Sequence, residues 1–551
     1  MKGFSLKQFS VIVSLLLVFV LSLSATTSAF AMNRHAAKQY NPDIKNIIIL
    51  IPDGMSVDGT TLARWYRAYC RETGDFDTSL FLAMDELASG LVRTWWQTGG
   101  VIGGIVDSAP AATAMAGGIK TNDKFLGVTC ENVPVATILE AANLIGKSTG
   151  MIATSNIQHA TPAGFSSHIN DRAGFSVIAE QQAHNNIDVV FGGGSQFMVN
   201  NGRDSIEALK AKGFQYITTR DEMKALTSGR VWGLFAPNAM AYEFDRLENA
   251  PTEPSLAEMT AKAIELLSRN ENGFFLMVEG SKIDWAAHAN DPVGLVSDIL
   301  AFDDAVAVAL EFAKANQNTM LIIASDHGTG GIRIGDRNTQ NAAAILPYYS
   351  AALHHFIRPL TRARLTGEGL VAKFNANRSN IREVMAEWYG LDDLALMEEA
   401  LIRITPAGRM NHIVGPMISQ RAFLGWTTRG HTGEDVVLYT YLPGDRRITG
   451  VIENTDIALI MAGVWGIDLE AVTRQLFNDA GPVFTAKGAN VEIDDEAGNM
   501  IVTKGNVTLV IPENRNFVYL NGARTAIDSV IVNDMDGRFY VPQVVLDMIP
   551  N

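Results

Sequence analysis

Cysteine is scarce in this 551-residue chain, which contains only Cys70 and Cys130. The two belong to no Cys-x-x-Cys motif or Cys/His zinc pattern, so any metal ion has to be bound by histidine and carboxylate side chains. One disulfide between them and two separate buried thiols are both compatible with the sequence. If the disulfide forms, closing a loop of this size contributes about 4 kcal/mol in the chain-entropy model.

Positive charge is also scarce, since 44 lysine and arginine residues stand against 59 aspartate and glutamate residues and give a formal net charge of -15. This balance excludes nucleic acid as a specific partner. It also excludes a protein that binds an anionic membrane surface by long-range electrostatic attraction. The content of 48 glycines, 18 prolines and 47% hydrophobic residues excludes disordered, collagen-like and multi-span membrane proteins. The length suits one large or several ordinary globular domains.

The apolar run near the N-terminus is too short to span a bilayer comfortably, because it covers only 11–23 and a span needs about 20 residues. Lys2 and Lys7 precede it, and an Ala-Phe-Ala motif at 29–31 follows it, as in a signal peptide. We predict a signal peptide at 1–31, with an uncleaved anchor as the alternative. The mature chain is then exported to the periplasm, the cell envelope or the exterior, without a transmembrane span.

Downstream of residue 44, short apolar runs alternate with amphipathic stretches. Apolar residues recur three and four apart in 133–146 and 255–270, which predicts helices. The apolar runs are hydrophobic on both faces, like central strands of a covered sheet, and lie at 46–51, 149–154, 187–193, 273–280 and 319–325. This alternation predicts an α/β fold with a central, mostly parallel sheet flanked by helices.

Two segments depart from the alternation. Residues 332–425 are mostly helical in pattern, and we interpret them as an insertion over the rim of the sheet. Strand-like pieces with turn signals predict a small β-rich module at 482–551. We therefore predict a catalytic domain at 44–480 that carries the insertion, followed by the C-terminal module.

Polar residues gather directly after the apolar runs. Asp53 follows the first predicted strand, Glu279 ends another, and Asp326 with His327 follows a third. In open α/β sheets, ligands bind beyond the carboxyl ends of the strands. We therefore expect these side chains to share one site.

Histidine and aspartate provide candidate ligands for metal ions. Asp284 and His288 lie four residues apart, so on a helix they share one face, although a surface pair has the same spacing. The further candidates are Asp53, Asp326 and His327, which follow predicted strands, and His431, which lies in the RGHTGED motif. Together they suffice for two zinc centres, which would clamp the attacking and leaving oxygens of an in-line displacement at phosphorus.

Ser108 is the candidate nucleophile. Pro110 and the alanine run after it predict a helix that begins at or next to Ser108, where free amides and the helix dipole favour an anion. A metal ion bound to the hydroxyl would make it reactive near neutral pH. A serine that only caps the helix is the alternative.

Seven ordered motifs resemble those of the alkaline phosphatase family. They span roughly 44–331 and 415–475 and read IPDGM, VDSAPAATAMAGG, ATSNIQHATPAGFSSH, VVFGGGSQF, VEGSKIDWAAHAND, ASDHGTGG and GHTGED. The resemblance implies that family's fold and a hydrolase acting on small-molecule phosphate monoesters through a phosphoserine intermediate. It also implies two zinc ions, one magnesium ion and a homodimer.

The resemblance also implies a role for each matching residue. Three metal sets follow: Asp284, His288 and His431 for the zinc ion that activates water; Asp53, Asp326 and His327 for the zinc ion that activates Ser108; and Asp53, Thr161 and Glu279 for magnesium. Arg172 matches the arginine that forks onto two phosphate oxygens, a geometry that lysine does not reproduce. The backbone amide after Ser108 would be a further phosphate donor.

His159 and Trp285 depart from the best-known bacterial pattern, which has Asp and Lys beside the third metal ion and the phosphate. Similar residues occur in some marine and cold-adapted members. Because a carboxylate and an ammonium group are lost, we predict weaker magnesium binding than in the Asp/Lys type.

Residues 517–549 are similar to the copper amine oxidase N-terminal-like module found on envelope proteins, through an NG turn and the RFYVP hairpin end. The similarity implies cell-envelope contact or structural support. It does not imply copper binding, because the segment contains no His or Cys.

Two rival functions are compatible with parts of this pattern. A phosphodiesterase or sulfatase of the same superfamily would share the six zinc ligands, although Arg172 and the third metal set favour monoesters. An envelope-binding protein with a vestigial catalytic domain would have a broken ligand set, and every matched position is intact.

Overall fold

The computed structural model describes residues 43–200, 202–336, 351–534 and 536–550. The predicted signal peptide at 1–31 lies outside this part of the chain. Within it, no helix combines the length and the hydrophobicity that crossing a membrane requires.

A ten-stranded sheet forms the centre of the molecule. In chain order its strands are β1 (Asn46–Ile51), β2 (Ala88–Arg93), β3 (Ser148–Asn156), β4 (Val189–Gly193), β5 (Gln215–Ile217), β6 (Val231–Ala236), β7 (Phe274–Glu279), β8 (Thr319–Ala324), β9 (Val436–Tyr441) and β10 (Gly450–Glu453). Their order across the sheet is β10-β2-β9-β8-β1-β7-β3-β4-β6-β5. Only β9 runs antiparallel to its neighbours β8 and β2, so the predicted mostly parallel sheet is confirmed.

The central strands are apolar on both faces because helices cover both faces of the sheet. In β1, Ile47, Ile49 and Ile51 belong to one buried cluster, whereas Ile48 and Leu50 belong to another. Successive side chains of a strand point to opposite faces, so the two clusters lie on opposite sides of the sheet. All five side chains are fully buried, which leaves polar chemistry to the strand ends.

Helices alternate with the strands in the first part of the chain. They are α1 (Val57–Ala68), α2 (Ser108–Gly117), α3 (Ile138–Leu144), α4 (Ala160–Ser166), α5 (Phe175–His184), α6 (Ser205–Ala211), α7 (Arg220–Ala225), α8 (Glu243–Asn249), α9 (Leu256–Leu267), α10 (Lys282–His288) and α11 (Pro292–Asn316). The helix predicted at 255–270 is α9, which begins where Ser255 and Glu258 form a capping box. The helix predicted at 133–146 is shorter, because Thr137 caps α3 and delays its start.

The segment between β8 and β9 is mostly helical where it is described, as its pattern predicts. Its helices are α12 (His354–Thr361), α13 (Gly367–Leu370), α14 (Ile381–Trp388), α15 (Leu396–Ile404) and α16 (Asn411–Arg421). Their buried residues, such as Ile357, Tyr389 and Ile418, join the cluster that contains Ile48 and the core of α11. This helical segment therefore covers one face of the sheet. Two further helices follow β10: α17 (Asn454–Val464) and α18 (Leu469–Leu476).

The C-terminal part is rich in β-structure and has a core of its own. Helix α19 (Ala480–Ala486) precedes a five-stranded antiparallel sheet, and α20 (Gln543–Leu546) follows it. The sheet strands are β11 (Asn490–Asp494), β12 (Asn499–Lys504), β13 (Val507–Pro512), β14 (Phe517–Leu520) and β15 (Ala523–Ala526). Phe484, Val502 and Phe539 belong to its buried cluster. The predicted architecture, an α/β body with a helical segment and a small β-rich C-terminal part, is confirmed.

Cys70 and Cys130 are both free thiols, so the disulfide that the sequence left open does not form. The alternative of two separate buried thiols is also only half right, because Cys70 is exposed and Cys130 is partly exposed. The Cys130 Sγ lies 3.2 Å from the carbonyl oxygen of Gln97.

Candidate active site

The carboxyl ends of four neighbouring strands bring the candidate residues to one edge of the sheet. Asp53 lies two residues beyond β1, Glu279 is the last residue of β7, Asp326 lies two residues beyond β8, and His159 lies three residues beyond β3. These strands are adjacent and parallel in the order β8-β1-β7-β3. Their polar ends therefore converge.

The set Asp53, Asp326 and His327 is fully buried. One potential ligand atom from each residue lies within 4.8 Å of the other two. His327 Nε2 lies 3.1 Å from Asp326 Oδ2 and 3.7 Å from Asp53 Oδ1. Both carboxylate oxygens of Asp53 lack a hydrogen-bond donor among the described residues. Because such buried oxygens are costly to leave unpaired, the chemistry of this set suits a bound cation.

The set Asp284, His288 and His431 lies beside the first. His288 Nε2 lies 3.3 Å from Asp284 Oδ2 and 3.2 Å from His431 Nε2, and His431 Nε2 lies 3.9 Å from Asp284 Oδ1. The first and second sets are in contact, since the rings of His327 and His431 stack with centroids 3.6 Å apart. Asp284, His327 and His431 also form a compact ligand group.

Hydrogen bonds orient both histidines of this second set. His288 Nδ1 lies 2.5 Å from the carbonyl oxygen of Arg429, and His431 Nδ1 lies 2.7 Å from that of Val106. A carbonyl oxygen only accepts, so each Nδ1 carries the hydrogen and donates it. In the neutral tautomer, each Nε2 then keeps its lone pair for a metal ion, as metal-binding histidines commonly do.

A third group forms around Glu279. Potential ligand atoms of Asp53, His159 and Glu279 lie within 4.8 Å of one another. Glu279 and Thr161 are fully buried, and Glu279 Oε1 and Thr161 Oγ1 find no hydrogen-bond partner in the described chain. Hard oxygen atoms of this kind suit magnesium. His159 and Trp285 are the two residues that depart from the best-known bacterial pattern. Their rings are in edge-on contact, with centroids 5.6 Å apart.

The carboxylates of the site repel one another. Burial raises the pKa of Asp53 well above its ordinary value, and the neighbouring Asp326 and Asp284 raise it further. Burial raises the pKa of Glu279 to about 7, against the opposing effect of the Ser281 hydroxyl. A divalent cation among these groups would favour their charged forms, so the crowding itself fits a metal centre.

Ser108 is the first residue of α2 and is almost completely buried. The N-cap of that helix is Asp107, whose side chain accepts a hydrogen bond from Ala109 N at 3.1 Å. The alternative in which Ser108 only caps the helix is therefore wrong. The Ser108 hydroxyl instead faces the metal sets, with Oγ 3.1 Å from His327 Nε2. The backbone amide after Ser108, that of Ala109, was expected to donate to phosphate, but here it already donates to Asp107.

Arg172 lies in the loop between α4 and α5, and two contacts hold its guanidinium at the site. Nη1 donates to Asp107 Oδ1 at 2.5 Å, and Nη2 lies 3.1 Å from His159 Nε2. Burial and Arg172 lower the pKa of His159 to about 4. His159 is therefore neutral near pH 7 and accepts the arginine hydrogen bond at Nε2.

Two residues of the site are missing from the sequence interpretation. Asp107 joins the nucleophile helix to Arg172, and Thr329 Oγ1 donates to Asp284 Oδ1 at 2.6 Å while lying 3.2 Å from His327 Nδ1. Both residues lie within the quoted motifs, VDSAPAATA and ASDHGTGG. Their partners are distant in sequence, so spacing alone does not reveal the contacts.

Comparison with known proteins assigns the sequence to a family. The sequence model described as "Alkaline phosphatase" matches residues 44–467. The chain belongs to the alkaline phosphatase family. It is accordingly a phosphomonoesterase of a metal-dependent family, and its Asp and His clusters are able to bind metal.

Individual relatives agree with this assignment. Alkaline phosphatase 4 of Bacillus subtilis is 36% identical over 77% of this chain and 90% of its own length. The cold-active alkaline phosphatase of Shewanella sp. is 28% identical, with a TM-score of 0.66 over 76% of this chain and 99% of that one. A His-to-Asp mutant of the enzyme from the Antarctic bacterium TAB5, solved with Mg bound in its M3 site, is 26% identical, with a TM-score of 0.55 over 77% of this chain and 99% of that one.

Proposed function

We propose that this exported alkaline phosphatase hydrolyses phosphate monoesters through a phosphoserine intermediate on Ser108, at a site with two zinc ions and one magnesium ion. The observation that carries the proposal is the position of Ser108. Its hydroxyl is buried at the start of a helix, 3.1 Å from His327, beside carboxylates that lack donors within the described chain. This arrangement suits a nucleophile next to bound cations better than a structural serine.

The residues that would hold the metal ions fall into the three groups described above: Asp284, His288 and His431; Asp53, Asp326 and His327; and Asp53, Thr161 and Glu279. Nitrogen and carboxylate ligands suit zinc in the first two groups, and hard oxygen ligands suit magnesium in the third. When bound, these cations stabilise the negative charge that develops on the oxygens of the transferring phosphoryl group.

The protein's own residues attack and position the phosphoryl group. Ser108 Oγ forms a bond to phosphorus while the ester bond to the substrate alcohol breaks, and water later cleaves the phosphoserine to release inorganic phosphate. Arg172 would donate to two phosphoryl oxygens and so fix the group in line with Ser108. Asp107 and His159 orient the guanidinium for this purpose, because each already contacts one of its nitrogens.

Magnesium is the ion whose binding we expect to be weakest. His159 supplies a neutral nitrogen where a carboxylate would supply charge, and Trp285 replaces an ammonium group. The Mg-bound TAB5 mutant carries aspartate in place of a histidine, which supports the link between a carboxylate and magnesium. We keep export, a homodimer and cell-envelope contact through residues 482–551 as parts of this proposal.

Metal analysis combined with kinetics tests the proposal. We expect the wild type to bind zinc and to hydrolyse nitrophenyl phosphate faster than its bis-ester. Ser108→Ala should keep its metal content and lose at least about a thousandfold in kcat/KM. A zinc-replete wild type without phosphatase activity contradicts the function, and a faster rate on the bis-ester favours a phosphodiesterase instead.

A further inference from the structure

A broad cleft of about 690 Å³ opens beside the candidate active site. His288 lines it on the side of the metal sets, while Arg409 and His412 come from the helical segment between β8 and β9 and Arg429 from the loop before His431. No Asp or Glu of the described residues lines this cleft. Its lining is therefore basic, although the chain as a whole is acidic.

The basic side chains of the cleft contact one another. Arg429 Nη1 lies 2.8 Å from His412 Nδ1, and Arg409 Nη1 lies 3.3 Å from His412 Nε2. A neutral imidazole has only one acceptor nitrogen, so it satisfies at most one of these two donors. Within the described part of the chain, neither arginine has a carboxylate partner in an ion pair. Arg429 also donates to two carbonyl oxygens, from Nη2 to His412 at 3.2 Å and from Nη1 to Ala289 at 3.5 Å. The two fixed positive charges therefore meet around His412 without a carboxylate counter-ion.

Several arginines of the helical segment between β8 and β9 do have a carboxylate counter-ion. Four of them have acidic partners at 2.9 Å or less: Arg362 with Asp392, Arg382 and Arg403 with Glu399, and Arg421 with Glu398. Arg409 and Arg429 face the cleft instead.

The cleft lies on the side of the site where the leaving group departs. Ser108 contacts His327, whereas His288 and His431 form the other end of the stacked histidines. An in-line displacement places the leaving oxygen opposite the attacking one, away from Ser108. The alcohol portion of a substrate would therefore extend past His288 into the cleft.

We propose that Arg409 and Arg429, aided by His412, bind a second phosphate group on the alcohol portion of the substrate. Guanidinium groups bind phosphate through two parallel hydrogen bonds, and two such groups match a dianion better than they match a carboxylate. The preferred substrates are then bisphosphates, in which each phosphate is itself a monoester. This inference rests on the proposed hydrolysis at Ser108.

The test compares 1,3-propanediol bisphosphate with 3-hydroxypropyl phosphate, which carries a hydroxyl in place of the second phosphate. We expect the wild-type holoenzyme to favour the bisphosphate by about tenfold in kcat/KM, beyond the factor of two for its two equivalent ends. Arg409→Gln combined with Arg429→Gln should remove most of this preference. Arg382→Gln is the matched control, because Arg382 lies in the same segment but pairs with Glu399 at 2.8 Å.

Direct binding separates this inference from the proposed function. Calorimetry on metal-loaded Ser108→Ala measures the dissociation constants of both compounds without turnover. Tighter binding of the bisphosphate that depends on the two arginines supports the subsite. Equal affinity for both compounds, or a preference that survives both substitutions, overturns the subsite. Neither result contradicts monoester hydrolysis at Ser108. A wild type that binds the bisphosphate more tightly yet hydrolyses neither compound overturns the proposed function alone.

Discussion

At the scale of single residues, a glycine constrains the candidate metal site. Gly54 follows Asp53 with a φ of +71°, and a Cβ atom there would lie 2.7 Å from Asp284 Oδ1. Asp53 and Asp284 belong to different candidate metal sets, so this close approach fixes the distance between the two sets. The IPDGM motif therefore needs glycine for both its backbone conformation and its lack of a side chain.

Gly54→Ala should displace Asp284 and lower both zinc content and activity. We expect kcat/KM to fall at least about tenfold, because the new methyl group overlaps backbone and side-chain atoms of Asp284. Metal analysis and nitrophenyl phosphate kinetics measure the two effects. Gly466→Ala is the control, since Gly466 has a φ of +70° and no atom within 4 Å of an added Cβ; it should cost about 1 kcal/mol of stability and no metal.

His159→Asp should tighten magnesium binding by about tenfold. The substitution adds a charged oxygen ligand beside Asp53 and Glu279, and carboxylates are ligands that Mg²⁺ prefers. Calorimetric titration of zinc-loaded enzyme with Mg²⁺ gives the affinity directly. His159→Asn, which is similar in size but uncharged, should not reproduce the gain. Equal affinity in the wild type and His159→Asp would contradict our account of the third metal site.

At the scale of secondary-structure elements, a buried ion pair connects α3 to the loop before α5. His168 Nε2 lies 2.9 Å from Glu140 Oε1, and His168 Nδ1 lies 2.8 Å from the carbonyl oxygen of Gly127. Both acceptors need a hydrogen, so the ring is an imidazolium. Although burial alone opposes it, Glu140 raises the pKa of His168, and His168 holds the pKa of Glu140 below its ordinary value.

This pair should make the protein less stable at alkaline pH. The raised pKa of His168 contributes stability below its unfolded value of about 6.5, and that contribution disappears as the pH rises through the folded pKa. The lowered pKa of Glu140 contributes above about 4.5 and is lost in acid. We expect the melting temperature of the metal-loaded enzyme to fall by a few degrees more between pH 6 and pH 9 in the wild type than in His168→Gln. Parallel pH profiles would argue against the pair.

The sequence predicts the central strands well and the others poorly. Strands β1, β3, β4, β7 and β8 are apolar runs covered on both faces, so composition alone marks them. Strand β6 is just as buried, but Gly233 interrupts its apolar run, and a Cβ atom there would lie 2.7 Å from Phe235. The edge strand β10 is largely exposed, and only its pairing with β2 makes it a strand.

The candidate site also contains residues that the sequence reveals and residues that only the fold reveals. Residues within ordered motifs, such as Ser108 and Asp326, are recognisable from the sequence, and the structure brings them together. The basic cleft is not recognisable, because Arg409 and Arg429 belong to no motif and meet only through the packing of α16 against the loop before His431. Contacts between residues that are distant in sequence depend on the fold.

At the scale of the whole molecule, the C-terminal part packs against the catalytic part at a mixed interface. Phe477, Val532 and Tyr540 form a buried cluster with Ala136 beside α3. Polar contacts join the same surfaces, including Asn132 Nδ2 to the carbonyl oxygen of Asp534 at 3.0 Å. None of the candidate site residues takes part in these contacts within the described chain, so the C-terminal part supports the fold from a distance.

A chain that ends at residue 479 should therefore be less stable but still active. Removing the C-terminal part exposes the apolar surface around Ala136, so we expect the melting temperature to fall by several degrees. The kcat/KM on nitrophenyl phosphate should stay within about threefold of the wild type. Arg515→Gln, which removes the 3.0 Å pair with Glu180 and a hydrogen bond to the carbonyl oxygen of Asn514, should have a much smaller thermal effect. Loss of activity in a truncated chain that is still folded would give the C-terminal part a direct role in catalysis.

The short strands Gly328–Thr329 and His431–Thr432 pair directly at the site, although they are distant in sequence. The whole helical segment lies between them in the chain, so a growing chain presents Asp53, Ser108 and His327 long before His431 has been synthesised. The set of Asp284, His288 and His431 is completed only after that segment has folded back onto the sheet. We therefore expect full metal affinity to be acquired late in folding, once His431 lies beside Asp284 and His288.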